Sequence, residues 1–525
     1  MMSHKKWLLA FAALVILFTT SGAGIASSEQ AKAKYVFLFI GDGMGTAQRN
    51  AAELYLAKEK GLSRPEAAKL VMNTLPAQGM NTTYDLTSVI PDSASTATAI
   101  SCGYKTKSGV IGMDAEAKVS YETIAERARK MNWKVGILST VSLDHATPAA
   151  FYAHVPSRQQ MYDISVQLAN SGFDYFAGGQ MLEPVDKKDP SKPNAIETAR
   201  KNGYTVAMGR TGFGGLKREA NKVIAMNATV DRDAAMYYTL DQNNSKDHVT
   251  IAEYLDKGIE LLNNPNGFFI MVEGGKIDWA CHANDAASSV HDVLAFDEAV
   301  ARAVSFYEKH PEETLIIVTG DHETGGMTIG FAGTQYSSFV DKIQHQRMSY
   351  IEFNKKLEAY KKSRTVADAR LEDIMPLIKE TFGLFVMSAG EKEPLEKVVS
   401  AGKASDASES AKKEAREAER KLKCGMALSD LELKVLHDAF NQSMLGEKER
   451  AKDDYTYLLY GGYEPLSVKL TTILNNKAGI GWTSYSHTGV PVQTSALGVG
   501  AETFNGYYDQ TEIYTKMMKI VGFQK

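Results

Sequence analysis

The chain has 525 residues, 44% of them hydrophobic, with 59 basic and 63 acidic side chains and a net charge of -4. This composition excludes a disordered chain. The slight acidic balance, with no basic run interleaved with aromatics, excludes a nucleic-acid-binding surface driven by bulk charge.

The chain opens on a targeting pattern. Lys5 and Lys6 precede an apolar run over 7–18, and the small residues Gly24 and Ala26 offer a cleavage site, so 1–26 reads as a signal peptide. A retained anchor is the other reading, but the run is shorter than the ~20 residues a membrane span needs. No second segment has the composition of a span. The expected product is therefore 27–525, exported to the periplasm or the medium, with no stable membrane insertion after signal removal. Its length allows about three domains at roughly 100 to 200 residues each, but α/β enzymes with insertions also form one large unit, and 27–525 is read as a single catalytic domain.

Four short apolar runs follow, at 35–40, 135–138, 268–272 and 315–318. They lack alternation, the pattern of strands buried on both faces of a parallel sheet. Helical periodicity separates them. Over 121–131 Ile124 and Ala128 share a face, and over 291–310 Val293, Phe296, Val300 and Val304 do. The predicted fold class is α/β, a central, mostly parallel sheet sandwiched by helices. From about 334 to 480 the texture changes, and 409–423 (ESAKKEAREAERKLK) reads as a charged, solvated helix. This region is taken as an insertion that caps the core or meets a partner subunit, a passive elaboration being the alternative.

Polar residues follow each predicted strand at once: Gly41-Asp42-Gly43, residues 139–147, Glu273-Gly274-Gly275 and Gly320-Asp321-His322. In open parallel sheets ligands bind beyond the carboxyl ends of the strands, so four segments point at one place. A single acidic residue there is ordinarily a helix cap or turn former. Four together make that account a poor one. Asp278 and His282, four apart, share one face of a helix, an arrangement that can grip an ion or simply form a surface hydrogen bond. With Asp42, Glu273, Asp321, His322 and His487 they make an oxygen and imidazole set without thiolate, which suits zinc and magnesium. Cys102, Cys281 and Cys424 lie far apart with no CxxC pair, so they indicate neither a thiolate zinc site nor a disulfide framework.

The segment 91–99 (PDSASTATA) begins a helix of small residues, with Ser93 at its positive end, where an alkoxide or a bound anion is favoured. Asp92 or Ser93 as a plain N-cap is the alternative. A serine hydroxyl needs a base or a metal to attack at neutral pH, and without a GxSxG elbow metal activation is the better fit.

The motifs IGDGMG at 40–45, DSASTATA at 92–99, HATPAA at 145–150, AHVPSR at 153–158, VEGGKID at 272–278, TGDH at 319–322 and SHTG at 486–489 resemble those of the secreted alkaline phosphatases, in the family's order. The resemblance implies hydrolysis of small-molecule phosphate monoesters through a phosphoserine, with two Zn2+ and one Mg2+ per subunit, in a homodimer. Ser93 resembles the nucleophile and Arg158 the phosphate-clamping arginine. Asp278, His282 and His487 resemble the ligands of the first zinc, and Asp42, Asp321 and His322 those of the second. Asp42, Thr147 and Glu273 resemble the magnesium site. His145 and Trp279 stand where the best-known bacterial members carry aspartate and lysine. They are expected behind the ligands, where they change the surroundings of the third site and of the phosphate, so zinc or another ion could occupy that site. His154 has no matching ligand role, and Cys281 is expected to pack within a helix. The rivals are a sulfatase or diesterase of similar fold. The C/S-x-P-x-R context of the first is absent around Ser93, and Glu273 opposes the second.

Overall fold

The computed structural model describes residues 32–62, 68–446 and 448–523; the signal peptide read over 1–26 lies outside them. At the centre is a ten-stranded sheet. Its strands are β1 (Tyr35–Gly41), β2 (Ala77–Thr82), β3 (Lys134–Ser139), β4 (Tyr175–Gly178), β5 (Thr205–Met208), β6 (Val223–Met226), β7 (Phe268–Glu273), β8 (Thr314–Gly320), β9 (Val492–Gly498) and β10 (Gly506–Asp509). Across the sheet they run β10-β2-β9-β8-β1-β7-β3-β4-β6-β5. Only β9 is antiparallel to its neighbours, β8 and β2.

The four apolar runs of the sequence are β1, β3, β7 and β8, which lie side by side as β8-β1-β7-β3 in the middle of the sheet. Their lack of alternation has a direct cause. Val36, Leu38 and Ile40 of β1 enter one core with Met271 and Ile317, whereas Phe37 and Phe39 enter a second core with Ile270, Val272 and Val318. Both faces are apolar because both are covered by helices, and each such side chain contributes roughly 1.5–3 kcal/mol by leaving water. The first core is closed by α2 (Ser93–Cys102) and α3 (Ala146–Ala149), the second by α1 (Thr46–Glu59), α4 (Gly275–His282) and α5 (Ala286–Tyr307).

Two helices differ from their predicted bounds. The first spans Ile124–Lys130, because Thr123 caps it and forms a capping box with Glu126. The second, α5, starts at Ala286, before the apolar periodicity becomes visible, because Asp285 caps it through Ser288 N.

The segment 334–480 is mostly helical and has its own apolar cluster, in which Phe353, Leu357, Ile378, Phe382, Leu436, Phe440, Leu470 and Leu474 meet. Antiparallel pairing of Thr328–Ile329 with Ile480–Gly481 brings its two ends together, so the chain leaves and rejoins the core at one point. The charged segment forms the helix Glu409–Cys424, which packs on Ala389–Gly402.

Candidate active site

The carboxyl ends of β1, β7 and β8 are in register, Ile40 lying opposite both Glu273 and Thr319, so the residues that follow converge. After β1 the chain turns at Gly43, whose φ is +68°. A Cβ there would lie 2.9 Å from Asp278 Oδ1 and 2.8 Å from Thr324 Oγ1, so only glycine lets Asp42 and Asp278 share one space. After β7, Gly274 and Gly275 lead directly into α4, which carries Asp278 and His282 on one face. After β8 come Asp321 and His322, both fully buried. The late His487 arrives on a two-residue strand, His487–Thr488, paired antiparallel with Glu323–Thr324.

Three groups of ligand-type atoms result, each within 4.8 Å: Asp278, His282 and His487; Asp42, Asp321 and His322; Asp42, His145 and Glu273. In the first, His282 Nε2 lies 3.3 Å and His487 Nε2 3.6 Å from Asp278. The two Nε2 atoms are themselves 3.1 Å apart. His282 Nδ1 faces the Tyr485 carbonyl at 2.6 Å and His487 Nδ1 the Pro91 carbonyl at 2.7 Å. A carbonyl only accepts, so each Nδ1 carries a proton and both Nε2 atoms turn inward beside a carboxylate; against burial, Asp278 raises His282 to about 9, so without metal a proton sits among them. A metal cation can take the place of that proton, since two imidazole nitrogens beside a carboxylate are the donors of a metal ligand set. In the second group His322 Nε2 lies 3.3 Å from Asp42 Oδ1 and 3.4 Å from Asp321 Oδ2. In the third, Thr147 Oγ1 donates to Asp42 Oδ2 at 3.3 Å, and Ser139 donates to Glu273 Oε2. Asp42 Oδ1, Glu273 Oε1 and His145 Nδ1 are buried with no hydrogen-bond partner.

Electrostatics leads to the same conclusion. Burial, then the neighbouring Asp321 and Asp278, push the Asp42 carboxyl well above the usual carboxylate range. Burial likewise lifts Glu273 to about 7 and Asp321 to about 8. Burial opposes ionisation of Asp278 too, yet His282, His487 and His322 hold it below its ordinary value. Burial, followed by the neighbouring His487, keeps His322 well below the imidazole range. So many carboxylates in one dry space cost several kcal/mol each unless compensated by cations, and the donors present fit zinc or magnesium in character.

Ser93 is the first residue of α2, 2% exposed, and its Oγ lies 3.2 Å from His322 Nε2 at the edge of the second group. Asp92 is the helix cap, accepting from Ser95 N at 3.0 Å, which resolves the capping alternative in favour of Asp92 and leaves the Ser93 hydroxyl for the site. The other oxygen of Asp92 accepts from Arg158 Nη1 at 3.1 Å, so the cap also aims the arginine. Arg158 Nη2 lies 3.2 Å from His145 Nε2. An arginine only donates, so His145 accepts there as a neutral ring, and burial followed by the Arg158 charge holds it at about 3.

His145 thus sits further in than expected from sequence, within the third group itself. Trp279 is half-buried on α4, its ring 5.9 Å from that of His145, and with Tyr463 it packs against a cluster that includes Tyr350 and Ile351. His154 is bound to Glu126 at 3.0 Å and to the Gly112 carbonyl, away from the site. Cys102 and Cys281 are buried free thiols, and Cys281 Sγ faces Ser289 and Gln48 rather than the ligands. Sequence reasoning missed Ser139, which binds Glu273, and Thr324, which donates to Asp278. The position of Ser139 at the end of β3 was the only available signal.

Comparison with known proteins gives the family. The sequence model of the family described as alkaline phosphatase matches residues 33–432. Alkaline phosphatase 3 of Bacillus subtilis is 28% identical over 510 residues, covering 94% of this chain and 90% of its own. Alkaline phosphatase 4 of the same organism is 28% identical over 539 residues, covering 98% and 97%. Among solved structures, the cold-active alkaline phosphatase of a psychrophilic Shewanella aligns with a TM-score of 0.66 at 25% identity, over 93% of this chain and 99% of that one. The Thermus thermophilus alkaline phosphatase shares the fold, with a TM-score of 0.68 at 20% identity over 97% and 96%. The chain therefore belongs to the alkaline phosphatase family, metal-dependent phosphoric monoester hydrolases.

Proposed function

We propose that Ser93 is the nucleophile of this hydrolase and that the phosphoryl group passes through a phosphoserine before water releases it. The observation that carries this reading is the placement of Ser93 Oγ, at a helix N-terminus, on the edge of the Asp42, Asp321 and His322 group with Arg158 beside it. Two Zn2+ fit Asp278, His282 and His487, and Asp42, Asp321 and His322; one Mg2+ fits Asp42, Thr147 and Glu273, with His145 adjoining. When bound, such ions supply Lewis-acid charge and lower the pKa of a coordinated hydroxyl or water. The chain's own groups do the rest. Free backbone N–H groups at the start of α2 favour the oxyanion of Ser93. Arg158, held by Asp92, offers paired donors to two phosphoryl oxygens. Little of this depends on the alcohol that leaves, so small phosphate monoesters in general are substrates.

Arg158→Lys is expected to lower kcat/KM for p-nitrophenyl phosphate by about 10- to 100-fold, since a point charge replaces a planar fork and loses a charged hydrogen bond. Steady-state kinetics checks this. An unchanged kcat/KM would remove the arginine from the phosphate site.

We further read 27–525 as one exported catalytic unit, periplasmic or extracellular, with 334–480 as its insertion, acting as a homodimer. The motif resemblance supports the first and last points. No described helix is long and apolar enough to cross a membrane.

The test of the whole reading is kcat/KM on p-nitrophenyl phosphate and on bis-p-nitrophenyl phosphate, side by side, with zinc and magnesium present. A strong monoester preference, abolished by chelation, is the expected result. A diester preference would mean that Glu273 and its neighbours are misread, and inactivity on both would leave only phosphate or metal binding.

A further inference from the structure

The two short strands that bring His322 and His487 together contain a second pairing that the ligand groups do not explain. Each histidine is followed in sequence by a residue of the clasp: Glu323 after His322, Thr488 after His487. In the antiparallel register Thr488 lies opposite Glu323, and His487 opposite Thr324. The imidazoles of His322 and His487 stack at 3.6 Å between centroids, so one ring from each of two ligand groups meets face to face. Directly behind that stack Thr488 Oγ1 donates to Glu323 Oε2.

Glu323 is 4% exposed, and no lysine, arginine or histidine pairs with it among the described ion pairs. Its charge is met by neutral donors. Oε1 accepts from Gln48 Nε2 at 2.6 Å and Met327 N at 3.1 Å, and Oε2 accepts from Gly326 N at 3.1 Å as well as from Thr488. Three of these are rooted in α1 and in the turn after β8, both anchored in the core. Thr488 is the only one of the four on the His487 strand. Gln48 Nε2 also reaches the Thr324 carbonyl at 2.9 Å, and Thr324 Oγ1 lies 3.3 Å from His322 Nδ1. A two-residue ladder is marginal by itself. A buried carboxylate with its acceptors filled makes it directional, because a hydroxyl donating to an ionised group is shorter and stronger than a neutral hydrogen bond.

We infer that Glu323 and Thr488 form a clasp that sets the separation of the two zinc groups: positioning residues acting through His322 and His487. The inference rests on the proposal that these histidines hold zinc. It adds that the spacing of the two groups is held by one hydroxyl–carboxylate contact outside either ligand set. Partners that orient metal ligands typically carry about 10- to 100-fold in metal affinity or activity.

The test compares wild type, Thr488→Val and Thr488→Ser, each loaded with zinc and magnesium. Zinc affinity is read by competition with a chromophoric chelator, kcat and KM on p-nitrophenyl phosphate, and thermal unfolding of the metal-free protein. In Thr488→Val one zinc per chain is expected to be at least about tenfold easier to remove, with a fall in kcat larger than any rise in KM. Thr488→Ser, which keeps the hydroxyl, is expected to restore both, while Thr488→Val loses no more metal-free stability than one hydrogen bond to a charged group contributes. Equal zinc affinity in wild type and Thr488→Val would overturn the clasp, as would a drop confined to metal-free stability. Should Thr488→Val not fold, Thr488→Ala at this half-buried strand end provides the same comparison. Absence of zinc from the wild type would instead refute the ligand assignment, so the two failures are distinguishable.

Discussion

Ser93→Ala is expected to lower kcat for phosphate monoesters by at least about 10³-fold, with no phosphoenzyme trapped, since removing a covalent nucleophile eliminates a pathway rather than weakening a contact. The substitution is structurally mild. Ser93 is 2% exposed, its hydroxyl has one polar neighbour, His322 Nε2 at 3.2 Å, and the helix cap is Asp92, which remains. Helix α2 should therefore keep its start and Arg158 its anchor. The measurement is acid quench of wild type and variant with ³²P-labelled substrate, followed by counting protein-bound phosphate. Full activity in the variant, with no label on either protein, would show direct attack by water. Zinc content provides the control, because none of the side chains in the two proposed zinc groups is changed.

The second large effect is that of metal removal. Chelation is expected to abolish turnover and to destabilise the fold, more strongly at pH 9 than at pH 6. The sign follows from the carboxyls. Asp42 is raised well above its unfolded value, Glu273 to about 7 and Asp321 to about 8, chiefly by burial. Below the unfolded values, near 4, both states are protonated and these groups cost nothing. Between there and the folded values the native state holds extra protons, so metal-free stability falls as pH rises towards 7 and 8. Bound cations replace those protons and remove the penalty. At a thousandfold excess over Kd a ligand of the native state adds about 4 kcal/mol, so zinc should raise the unfolding midpoint clearly at pH 9 and less at pH 6. Calorimetry of apo and zinc-loaded protein at both pH values checks this. A zinc effect independent of pH would mean that the carboxyls stay ionised without metal.

Asp321→Asn gives the same argument residue by residue. The Gly43 and His322 amides donate to Asp321 Oδ1 at 3.1 and 2.9 Å, so the turn can survive while half of the carboxylate's charge-bearing face is lost. Lower zinc stoichiometry by elemental analysis is the corollary to look for alongside the chelation experiment.

Much of this centre was legible in the sequence because its ligands come from a few local patterns. Asp42, Glu273, Asp321 and His322 each come within four residues of the end of an apolar run, and such runs become adjacent strands of a parallel sheet whose carboxyl ends face one crevice. Asp278 and His282 needed only helical spacing. The bounds of α5 were less legible, because its first turn is set by the Asp285 cap, whereas the apolar periodicity begins at Val290 and Val293.

By itself the sequence determined the four central strands, their burial on two faces and the helix that presents Ser93, since all of these depend on residues within a few positions of one another. Only the tertiary structure decided which groups share a partner. Asp92 holds Arg158 across 66 positions, Ser139 holds Glu273 across 134, Thr488 reaches Glu323 across 165, and the Tyr485 carbonyl sets the tautomer of His282 across 203. His145 joined the third group for the same reason. A hydrogen bond is made by atoms about 3 Å apart, and no local pattern encodes which distant hydroxyl or carbonyl the packed sheet and helices will bring that close.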